Sequence, residues 1–295
     1  MKTLFGVTTA MTTPFTKRGS LDTEALEQQT DFLVDKGVHA LYPCGTTGEM
    51  YLMTARERML AAQTVVNRAG GRVSVFVHCG AMHMDEAVRL ARHAADIGAD
   101  GIGVVTPSYF GVPDDAIVEY YRKVCGKVPR DFPVYAYAIP QLAKNDITAE
   151  CMRRIADACP NVVGIKYSYP DLKRFIEYLA LGRGLSVVFG ADDLFLPALV
   201  MGGAGSVSGC SSCVPEPFVN VYRYFKAGDM EKAREEQMRC FRLVRVLKGG
   251  SDLAVFKAVQ AMRGVRGGYT KAPLPGLSDA EHGRLREELA EYLGA

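Results

Sequence analysis

The sequence predicts a (β/α)8 barrel, that is, a TIM barrel, followed by a C-terminal helical extension. Short apolar segments rich in Val, Ile and Tyr alternate with longer segments of helical periodicity. This strand and helix unit repeats about eight times over roughly 230 residues. An open, doubly wound sheet is the alternative, but it usually contains fewer strands, so we favour the closed barrel.

The predicted strands are bounded by turn-forming residues, mainly Gly, Pro, Asp and Thr. They are residues 6–12, 40–44, 73–79, 101–106, 134–138, 162–167, 185–189 and 206–208. Helical periodicity fills the intervals, and several helices begin at a capping residue, namely Thr54, Asp114 and Thr148. The predicted helices are residues 22–35, 55–68, 84–97, 114–124, 148–158, 171–179 and 193–201.

After Pro215 the strand pattern ends and helical periodicity continues. Helices are predicted at residues 217–227, 230–247 and 252–262, and a last one begins at 279. No Pro-rich or Ser-rich linker separates them from the barrel. We therefore expect a catalytic barrel domain, residues 1–228, and a helical extension, residues 229–295, that packs on it.

The composition is that of an ordinary globular enzyme, with 48% hydrophobic and 23% charged residues. The net charge of +2 and the scattered Lys and Arg residues disfavour a nucleic-acid partner. No apolar segment reaches the roughly 18 residues of a membrane helix, and the N-terminus lacks a signal-peptide core. No membrane association and a cytoplasmic location are therefore expected.

The eight cysteines are spread through apolar segments, which is typical of reduced, buried thiols. Cys210 and Cys213 form a CxxC motif, but no second CxxC or paired histidines accompany it, so a structural role is favoured over zinc or redox chemistry. His78 and His83 flank the end of the third predicted strand. A metal-dependent aldolase would need more imidazoles and carboxylates, so no metal site is expected.

Catalytic groups of such barrels lie at the C-terminal ends of the strands. Lys166 lies there, within the apolar sixth predicted strand. A lysine inside a barrel loses hydration, which lowers its pKa and frees its amine to attack a carbonyl group. A solvated surface lysine is the alternative, but the apolar neighbours favour a lysine that forms a Schiff base.

Aromatic hydroxyl groups follow the fourth and fifth predicted strands. Tyr135 and Tyr137 alternate onto one face of the fifth strand, which we expect to face the barrel interior. Tyr137 is a candidate proton carrier beside an amine. Tyr109 lies at the rim after the fourth strand. Ordinary packing is the alternative for each.

Two other strand ends carry candidate ligand-binding groups. In residues 45–49, two glycines bracket Thr46 and Thr47, a pattern that directs backbone N–H groups and hydroxyls at a carboxylate or phosphate. The alternative is a plain βα turn, and the Walker A and GxGxxG nucleotide motifs are absent from it. After the seventh strand, Asp193 is placed to cap the next helix, whereas Asp192 is freer to face a ligand.

These motifs together resemble the family of N-acetylneuraminate lyase and dihydrodipicolinate synthase, the class I pyruvate-dependent aldolases. The resemblance covers most of the barrel, and the ordered set is far more specific than any single motif. The matching segments are Gly6-Val7-Thr8-Thr9-Ala10, Thr13-Pro14-Phe15, Gly45-Thr46-Thr47-Gly48-Glu49, Tyr137-Ala138-Ile139-Pro140, Gly164-Ile165-Lys166 and Gly190-Ala191-Asp192-Asp193.

The resemblance implies a role for each matching residue. Lys166 would form the Schiff base with pyruvate, and Tyr137 would shuttle protons to and from the substrate. Thr46 and Thr47 would hold the pyruvate carboxylate and relay protons, with the backbone of Gly48 assisting.

The resemblance also implies features outside the imine centre. Tyr109 corresponds to a tyrosine that relatives insert into a neighbouring subunit, which implies a homotetramer. Val207 lies where a backbone carbonyl faces the bound pyruvyl group. In sialic acid lyases, five residues hold the hydroxylated tail of the substrate. They correspond to Ser168, Asp192, Asp193, Ser208 and Gly209.

The departures from the family patterns bear on the substrate. Dihydrodipicolinate synthases carry an Arg at the position of Leu142, where it binds the carboxylate of the second substrate. Sialic acid lyases have a Leu there, but they usually have Asn at the position of Ala138 and Ser at the position of Thr46. Ser168 and Asp171 are compatible with a polyol tail.

The sequence therefore predicts a cofactor-free lyase that cleaves a 2-oxo sugar acid, of the sialic acid or 2-keto-3-deoxy sugar acid type, to pyruvate and an aldehyde. Condensation of the dihydrodipicolinate synthase type, or dehydration of a keto-deoxy acid, is the alternative through the same imine. A non-catalytic 2-oxo acid sensor is a further alternative, which the retention of Lys166, Tyr137 and Thr47 disfavours.

Overall fold

The computed structural model of the chain describes residues 1–250 and 252–293. Eight parallel strands close into a barrel in chain order, with the last strand paired to the first. The strands are β1 Gly6–Ala10, β2 Ala40–Tyr42, β3 Ser74–His78, β4 Gly101–Val105, β5 Val134–Ala138, β6 Val162–Tyr167, β7 Ser186–Phe189 and β8 Gly205–Ser208. The predicted TIM barrel is confirmed, and each predicted strand is present with ends that differ by at most two residues.

Helices follow the strands. Those of the barrel are α1 Thr23–Asp35, α2 Ala55–Ala69, α3 Met84–Asp96, α4 Asp114–Cys125, α5 Pro140–Ala143, α6 Ala149–Ala158, α7 Leu172–Ala180, α8 Phe195–Val200 and α9 Glu216–Lys226. The C-terminal helices are α10 Met230–Val246, α11 Leu253–Met262, α12 Asp279–Glu288 and α13 Ala290–Leu293. The short α5 was not predicted, and it begins at a proline, which the first turn of a helix tolerates.

Side-chain caps define several helix starts. The Thr54 hydroxyl accepts a hydrogen bond from the Glu57 N–H (3.2 Å), and the Glu57 carboxylate accepts one from the Thr54 N–H (2.8 Å). This is a capping box. Thr148 also caps its helix, as predicted. The prediction for Asp114 was wrong, because α4 already begins at that residue and Pro113 precedes it without a side-chain cap.

Large aromatic side chains fill part of the barrel interior, next to glycines on other strands. Tyr42 and Tyr135 are both buried there. A Cβ atom at Gly103 would lie 1.8 Å from the Tyr42 hydroxyl oxygen, and one at Gly164 would lie 2.6 Å from a ring carbon of Tyr135. The glycines therefore provide the space that the aromatic rings occupy.

The expected boundary between residues 228 and 229 falls in the turn between α9 and α10. Helix α9 takes the place of the eighth barrel helix, and the four later helices follow it. Residues 251, 294 and 295 of the expected extension lie outside the described residues. In the part of the chain that the structure describes, no helix has the length and apolar composition needed to cross a bilayer. All eight cysteines are buried and unpaired, as predicted.

Candidate active site

Lys166 projects into the barrel from the C-terminal part of β6. It is only 3% exposed, although it is a lysine. Its Nζ atom lies 4.0 Å from the ring centroid of Tyr137 and 4.5 Å from that of Tyr42. Burial lowers the pKa of Lys166, and the neighbouring Tyr137 and Asp192 offset this effect only in part. The side chain is therefore the desolvated amine that the sequence predicted.

Tyr137 stands next to Lys166 because β5 and β6 pair in register at these two residues. Its ring is buried, and its hydroxyl lies 3.3 Å from the hydroxyl of Thr46. This hydrogen bond links the end of β5 to the turn after β2. The structure thus brings Lys166, Tyr137 and Thr46 together, as expected from their places at strand ends.

The turn after β2, residues 45–49, is held in shape by backbone hydrogen bonds. The N–H groups of Gly48 and Glu49 donate to the carbonyls of Gly45 and Thr46, both at 3.0 Å. Within residues 1–250 and 252–293, the N–H groups of Thr46 and Thr47 have no hydrogen-bond partner. Two adjacent N–H donors beside two hydroxyls form an arrangement suited to a carboxylate.

The wall of the site next to Tyr137 is formed by His78 on β3. Its ring lies edge-on to Tyr137, with centroids 5.8 Å apart, and its Nε2 atom accepts a hydrogen bond from the Val105 N–H (3.3 Å). Burial, together with the charges of Arg58 and Lys166, lowers the pKa of His78 far below its usual range. His78 is therefore a neutral imidazole at physiological pH.

His78 and His83 do not form a common site. His78 is buried in the barrel, whereas His83 is exposed at the start of α3. Among the described residues, no cluster of three or more His, Cys, Asp or Glu side chains is arranged as ligands of a metal ion.

Asp192 is a buried carboxyl group at the end of β7. Its Oδ2 atom accepts a hydrogen bond from the Cys210 N–H (3.2 Å), whereas Oδ1 has no partner among the described residues. Burial raises the pKa of Asp192 to about 6, against the opposing effect of hydrogen bonds from Cys210 and Ser208. The carboxyl group thus titrates near neutral pH and has an acceptor free for a ligand.

Asp193, Ser208 and Gly209 of the predicted tail site lie near this carboxyl group, and Val207 is the residue predicted to face the pyruvyl group. Val207 is buried in the barrel interior, and Ser208 is the last residue of β8. The Thr47 hydroxyl would lie 3.1 Å from a Cβ atom at Gly209, so the turns after β2 and β8 are adjacent. Asp193 is partly buried and does not cap α8, since Leu194 occupies that position without a side-chain hydrogen bond.

Ser168 connects the end of β6 with the end of β7. Its side chain packs so closely on Gly190 that a Cβ atom there would lie 2.0 Å from the Ser168 hydroxyl oxygen. The Gln141 side chain donates a hydrogen bond to the Ser168 carbonyl (2.7 Å). Leu142, the next residue of α5, is 63% exposed at the barrel mouth.

Tyr109 does not join this cluster within one chain. Its side chain is 72% exposed and packs edge-on against Phe110, with ring centroids 5.0 Å apart. The residue has a φ of +74°, an unusual value for a tyrosine. The structure therefore separates Tyr109 from the buried Lys166.

Sequence reasoning did not identify the ion pair that holds the 45–49 turn. Glu49 and Lys257 of α11 form a salt bridge, and both side chains are buried. The Lys257 ammonium also donates to the Tyr269 carbonyl (2.6 Å), and the second Glu49 oxygen accepts from the Lys271 N–H (2.7 Å). The two residues are 208 positions apart, so no local pattern indicates their contact.

Gln237 of α10 was also missed. Its side chain accepts a hydrogen bond from the Leu196 N–H (2.7 Å) and donates to the carbonyls of Asp192 (3.3 Å) and Asp193 (3.0 Å). The C-terminal helices therefore hold the turns after both β2 and β7. The amphipathic pattern of α10 places Gln237 on the buried face of the helix, which was the available signal.

This site combines a desolvated amine, a neighbouring phenol, two hydroxyls and a pair of free N–H donors. Such a set is suited to a carbonyl substrate with an adjacent carboxylate, because the amine attacks the carbonyl carbon while the donors hold the anion.

Comparison with known proteins identifies the family of the chain. The model of the dihydrodipicolinate synthetase family matches residues 3–292. A DapA-like lyase of Halobacterium salinarum, named as uncharacterized, is 36% identical over 288 residues, with 98% of this chain and 94% of the relative covered. A 4-hydroxy-tetrahydrodipicolinate synthase of Aquifex aeolicus is 34% identical, with 97% of each protein covered.

Two further similar proteins differ from these in name or in bound ligand. A protein of Escherichia coli K12 named as a probable 2-dehydro-3-deoxy-D-pentonate aldolase is 35% identical over 237 residues, covering 79% of this chain and 78% of the relative. A prophage protein of the dihydrodipicolinic acid synthase family from the same organism, solved in complex with pyruvate, has 26% identity and a TM-score of 0.93, with 99% of both chains covered. The chain therefore belongs to the dihydrodipicolinate synthetase family, and it is a carbon–carbon lyase of the class I aldolase type.

Proposed function

We propose that the protein reversibly cleaves a 2-oxo sugar acid to pyruvate and an aldehyde through an imine on Lys166. The observation that carries this proposal is the buried Lys166 amine, with its lowered pKa, against the ring of Tyr137. An amine that is neutral more often than an ordinary lysine is a better nucleophile toward a ketone.

The reaction begins when the Lys166 amine adds to the substrate ketone and water leaves, which gives a protonated imine. Tyr137 then helps to remove the proton of the C4 hydroxyl. The bond between C3 and C4 breaks, its electrons pass to the imine nitrogen, and an aldehyde departs from an enamine. Protonation at C3 and addition of water release pyruvate and the free lysine. The imine is the electron sink, so the proposed chemistry needs no metal or organic cofactor.

The carboxylate of the 2-oxo acid is assigned to the turn after β2. The unpartnered N–H groups of Thr46 and Thr47 and their hydroxyls supply hydrogen bonds to it, and the backbone of Gly48 assists. The Thr46 hydroxyl also contacts Tyr137, which gives protons a route between the tyrosine and the substrate. Thr47 takes part in the same relay, and the Val207 carbonyl faces the pyruvyl group.

The hydroxylated tail of the substrate is assigned to five residues at or just after the ends of β6, β7 and β8. They are Ser168, Asp192, Asp193, Ser208 and Gly209. The free Oδ1 atom of Asp192 supports a hydroxylated partner, since a buried acceptor without a donor is costly. A 2-keto-3-deoxy sugar acid fits this chemistry, and the name of the Escherichia coli relative includes such a substrate.

Condensation of the dihydrodipicolinate synthase type is the second candidate, because several relatives carry that name. The side chain at position 142 opposes it, since Leu142 offers neither a charge nor a donor to a second carboxylate. Dehydration of a keto-deoxy acid would use the same imine and differs only in the bond that breaks.

The same proposal includes a homotetramer in the cytoplasm. The exposed Tyr109 and Phe110 rings form an apolar protrusion at the rim of the site, and insertion into a second copy would bury them. No nucleic acid or membrane takes part in the proposed function.

The test has two parts. Incubation with pyruvate and borohydride should add the reduced pyruvyl group to the peptide that contains Lys166. Turnover of a panel of 2-keto-3-deoxy sugar acids and sialic acid should then release pyruvate. An adduct on another lysine, or none, would contradict the mechanism, whereas an adduct without cleavage of any sugar acid would redirect the assignment to condensation or dehydration.

A further inference from the structure

Tyr42, the last residue of β2, is not used by the mechanism above, yet it contacts the reacting amine. Its ring is fully buried, and the Lys166 Nζ atom lies 4.5 Å from the ring centroid. The rings of Tyr42 and Tyr137 have centroids 6.5 Å apart and meet at 88°. The amine therefore lies against two aromatic rings that are perpendicular to each other.

The Tyr42 hydroxyl contributes no hydrogen bond to the site. It is buried without a partner among the described residues, and it occupies the space beside Gly103 where a Cβ atom would lie 1.8 Å away. A side chain whose polar atom is unsatisfied in this way contributes through its ring. Phenylalanine should supply the same face without the unsatisfied oxygen.

The charges around Lys166 leave a role for an aromatic face. Within the described part of the chain, Lys166 forms no salt bridge, although the Asp192 carboxyl group acts on it electrostatically. His78 is neutral, and Arg58 beyond it is a like charge. The other side chain next to the Lys166 amine is that of Tyr137. A protonated Lys166, or the imine formed from it, is a buried cation that forms no salt bridge with a carboxylate of the described residues, and an aromatic face stabilises such a cation.

We propose that Tyr42 is a positioning residue that holds the Lys166 cation, and the iminium ion formed from it, against the face of its ring. This inference rests on the lysine imine of the proposed function. It assigns the effect to the π-electrons of Tyr42 and none of it to the hydroxyl group.

The experiment uses the 295-residue protein and four variants of it. Tyr42→Phe keeps the ring, Tyr42→Leu removes it, and a ring-fluorinated phenylalanine at position 42 keeps its shape but weakens its attraction for cations. Phe76→Leu is the matched control, because Phe76 is a buried aromatic residue of the same interior that packs on Tyr135, and among the described residues the rings in cation–π contact with Lys166 are those of Tyr42 and Tyr137.

Two readouts follow the nitrogen itself. The first is the ionisation of Lys166 without substrate, measured by competitive labelling of the amine across the pH range in which lysine titrates. The second is the rate and extent of pyruvate trapping on Lys166 by cyanoborohydride, measured by mass spectrometry. A merely structural role would leave the midpoint of the first readout unchanged in the folded variant.

We expect Tyr42→Phe to behave like the natural protein in both readouts and to be more resistant to heat. Tyr42→Leu should lower the midpoint of Lys166 ionisation by on the order of one pH unit and reduce the equilibrium amount of imine about tenfold. The fluorinated residue should lie between these two, and it keeps the test valid if the leucine variant does not fold. Phe76→Leu should change neither readout.

Loss of trapping in Tyr42→Phe would overturn the proposal, because the hydroxyl would then be required. An unchanged ionisation midpoint in both the fluorinated and leucine variants would also overturn it. If the natural protein traps no pyruvate but the labelling midpoint shifts as expected, the proposed function fails while the contact between Tyr42 and Lys166 is supported.

Discussion

The Lys166 amine and the Tyr137 ring are 4.0 Å apart, on strands that pair in register at these two residues. The phenol and the amine are therefore neighbours without any loop having to move. The sequence places both residues at strand ends, and the closed barrel makes those ends neighbours.

Replacement of Lys166 by methionine should abolish pyruvate trapping and stabilise the fold by on the order of 1 kcal/mol. A lysine whose pKa is lowered in the folded protein binds its proton more readily in the unfolded chain. Protonation therefore favours unfolding at neutral pH, and this cost disappears as the pH rises toward the usual lysine range. Thermal unfolding of both proteins at neutral and alkaline pH measures the difference, which should shrink as the pH rises. A less stable Lys166→Met variant would contradict the prediction.

The carboxyl group of Asp192 should make both stability and substrate affinity depend on pH near 6. Its pKa is raised to about 6 from an ordinary value of 3.8, so the folded state binds the proton more tightly than the unfolded chain. The free energy of unfolding should thus fall as the pH rises from about 4 to about 6, and be constant above that pH. The shift corresponds to on the order of 3 kcal/mol. Urea unfolding of the natural protein and Asp192→Asn should show that the variant lacks this pH dependence.

The functional counterpart is the KM for a sugar acid, which should rise as the pH falls below about 6, because a protonated Asp192 is a weaker acceptor for hydroxyl groups. The control is the trapping of pyruvate, which has no polyol tail. The pyruvate concentration that gives half-maximal trapping should be the same in Asp192→Asn and in the natural protein at each pH. An identical pH profile of KM in the natural protein and the variant would remove Asp192 from the tail site.

Lys257→Met should destabilise the protein by about 3–5 kcal/mol, because it leaves the buried Glu49 carboxylate without its cation. The pair Lys271 and Glu57 is a matched control, since it is about one-fifth exposed. Lys271→Met should cost at most about 1 kcal/mol. Denaturant unfolding distinguishes the two. The double variant Glu49→Gln with Lys257→Met should recover part of the lost stability. If Lys257→Met and Lys271→Met lost the same amount of stability, burial would not be what makes the first pair important.

The prediction for Leu142 concerns the second substrate. A carboxylate left unpaired in a partly desolvated site costs about 1–3 kcal/mol, and Leu142 supplies no partner. Gln141 donates to the Ser168 carbonyl and cannot replace an arginine fork. We expect negligible condensation of pyruvate with aspartate semialdehyde and better turnover of hydroxylated substrates. A synthase kcat/KM that exceeds every cleavage value tenfold, or about 1.4 kcal/mol, would overturn the assignment.

Tyr109 should be required for turnover but not for the stability of the fold. Tyr109→Phe removes one hydroxyl from an exposed ring, so it should lower kcat more than it changes the unfolding midpoint. Light scattering at assay concentration should find a tetramer for both proteins. A fully active monomer would contradict the proposal that a second copy completes the site.

Local patterns were sufficient to predict the barrel and to place Lys166 and Tyr137 at the ends of strands. Strand and helix periodicities are local, so eight strands, their order and the inward position of Tyr137 could be derived from spacing alone. The ends of apolar strands then indicated Lys166, since catalytic groups of a barrel gather there. The two wrong caps, Asp114 and Asp193, show that helix boundaries depend on backbone angles that a residue type does not decide.

Packing in three dimensions brings together distant side chains that no local pattern connects. Glu49 and Lys257 meet across 208 positions, and Gln237 reaches the turn after β7 from the C-terminal extension. The place of Tyr42 beside Lys166 requires the space left by Gly103 on a strand that is not adjacent in sequence. Such contacts depend on how the elements pack, which local sequence patterns do not encode. The attraction within an ion pair, or between a cation and a ring, also becomes stronger once both partners are removed from water.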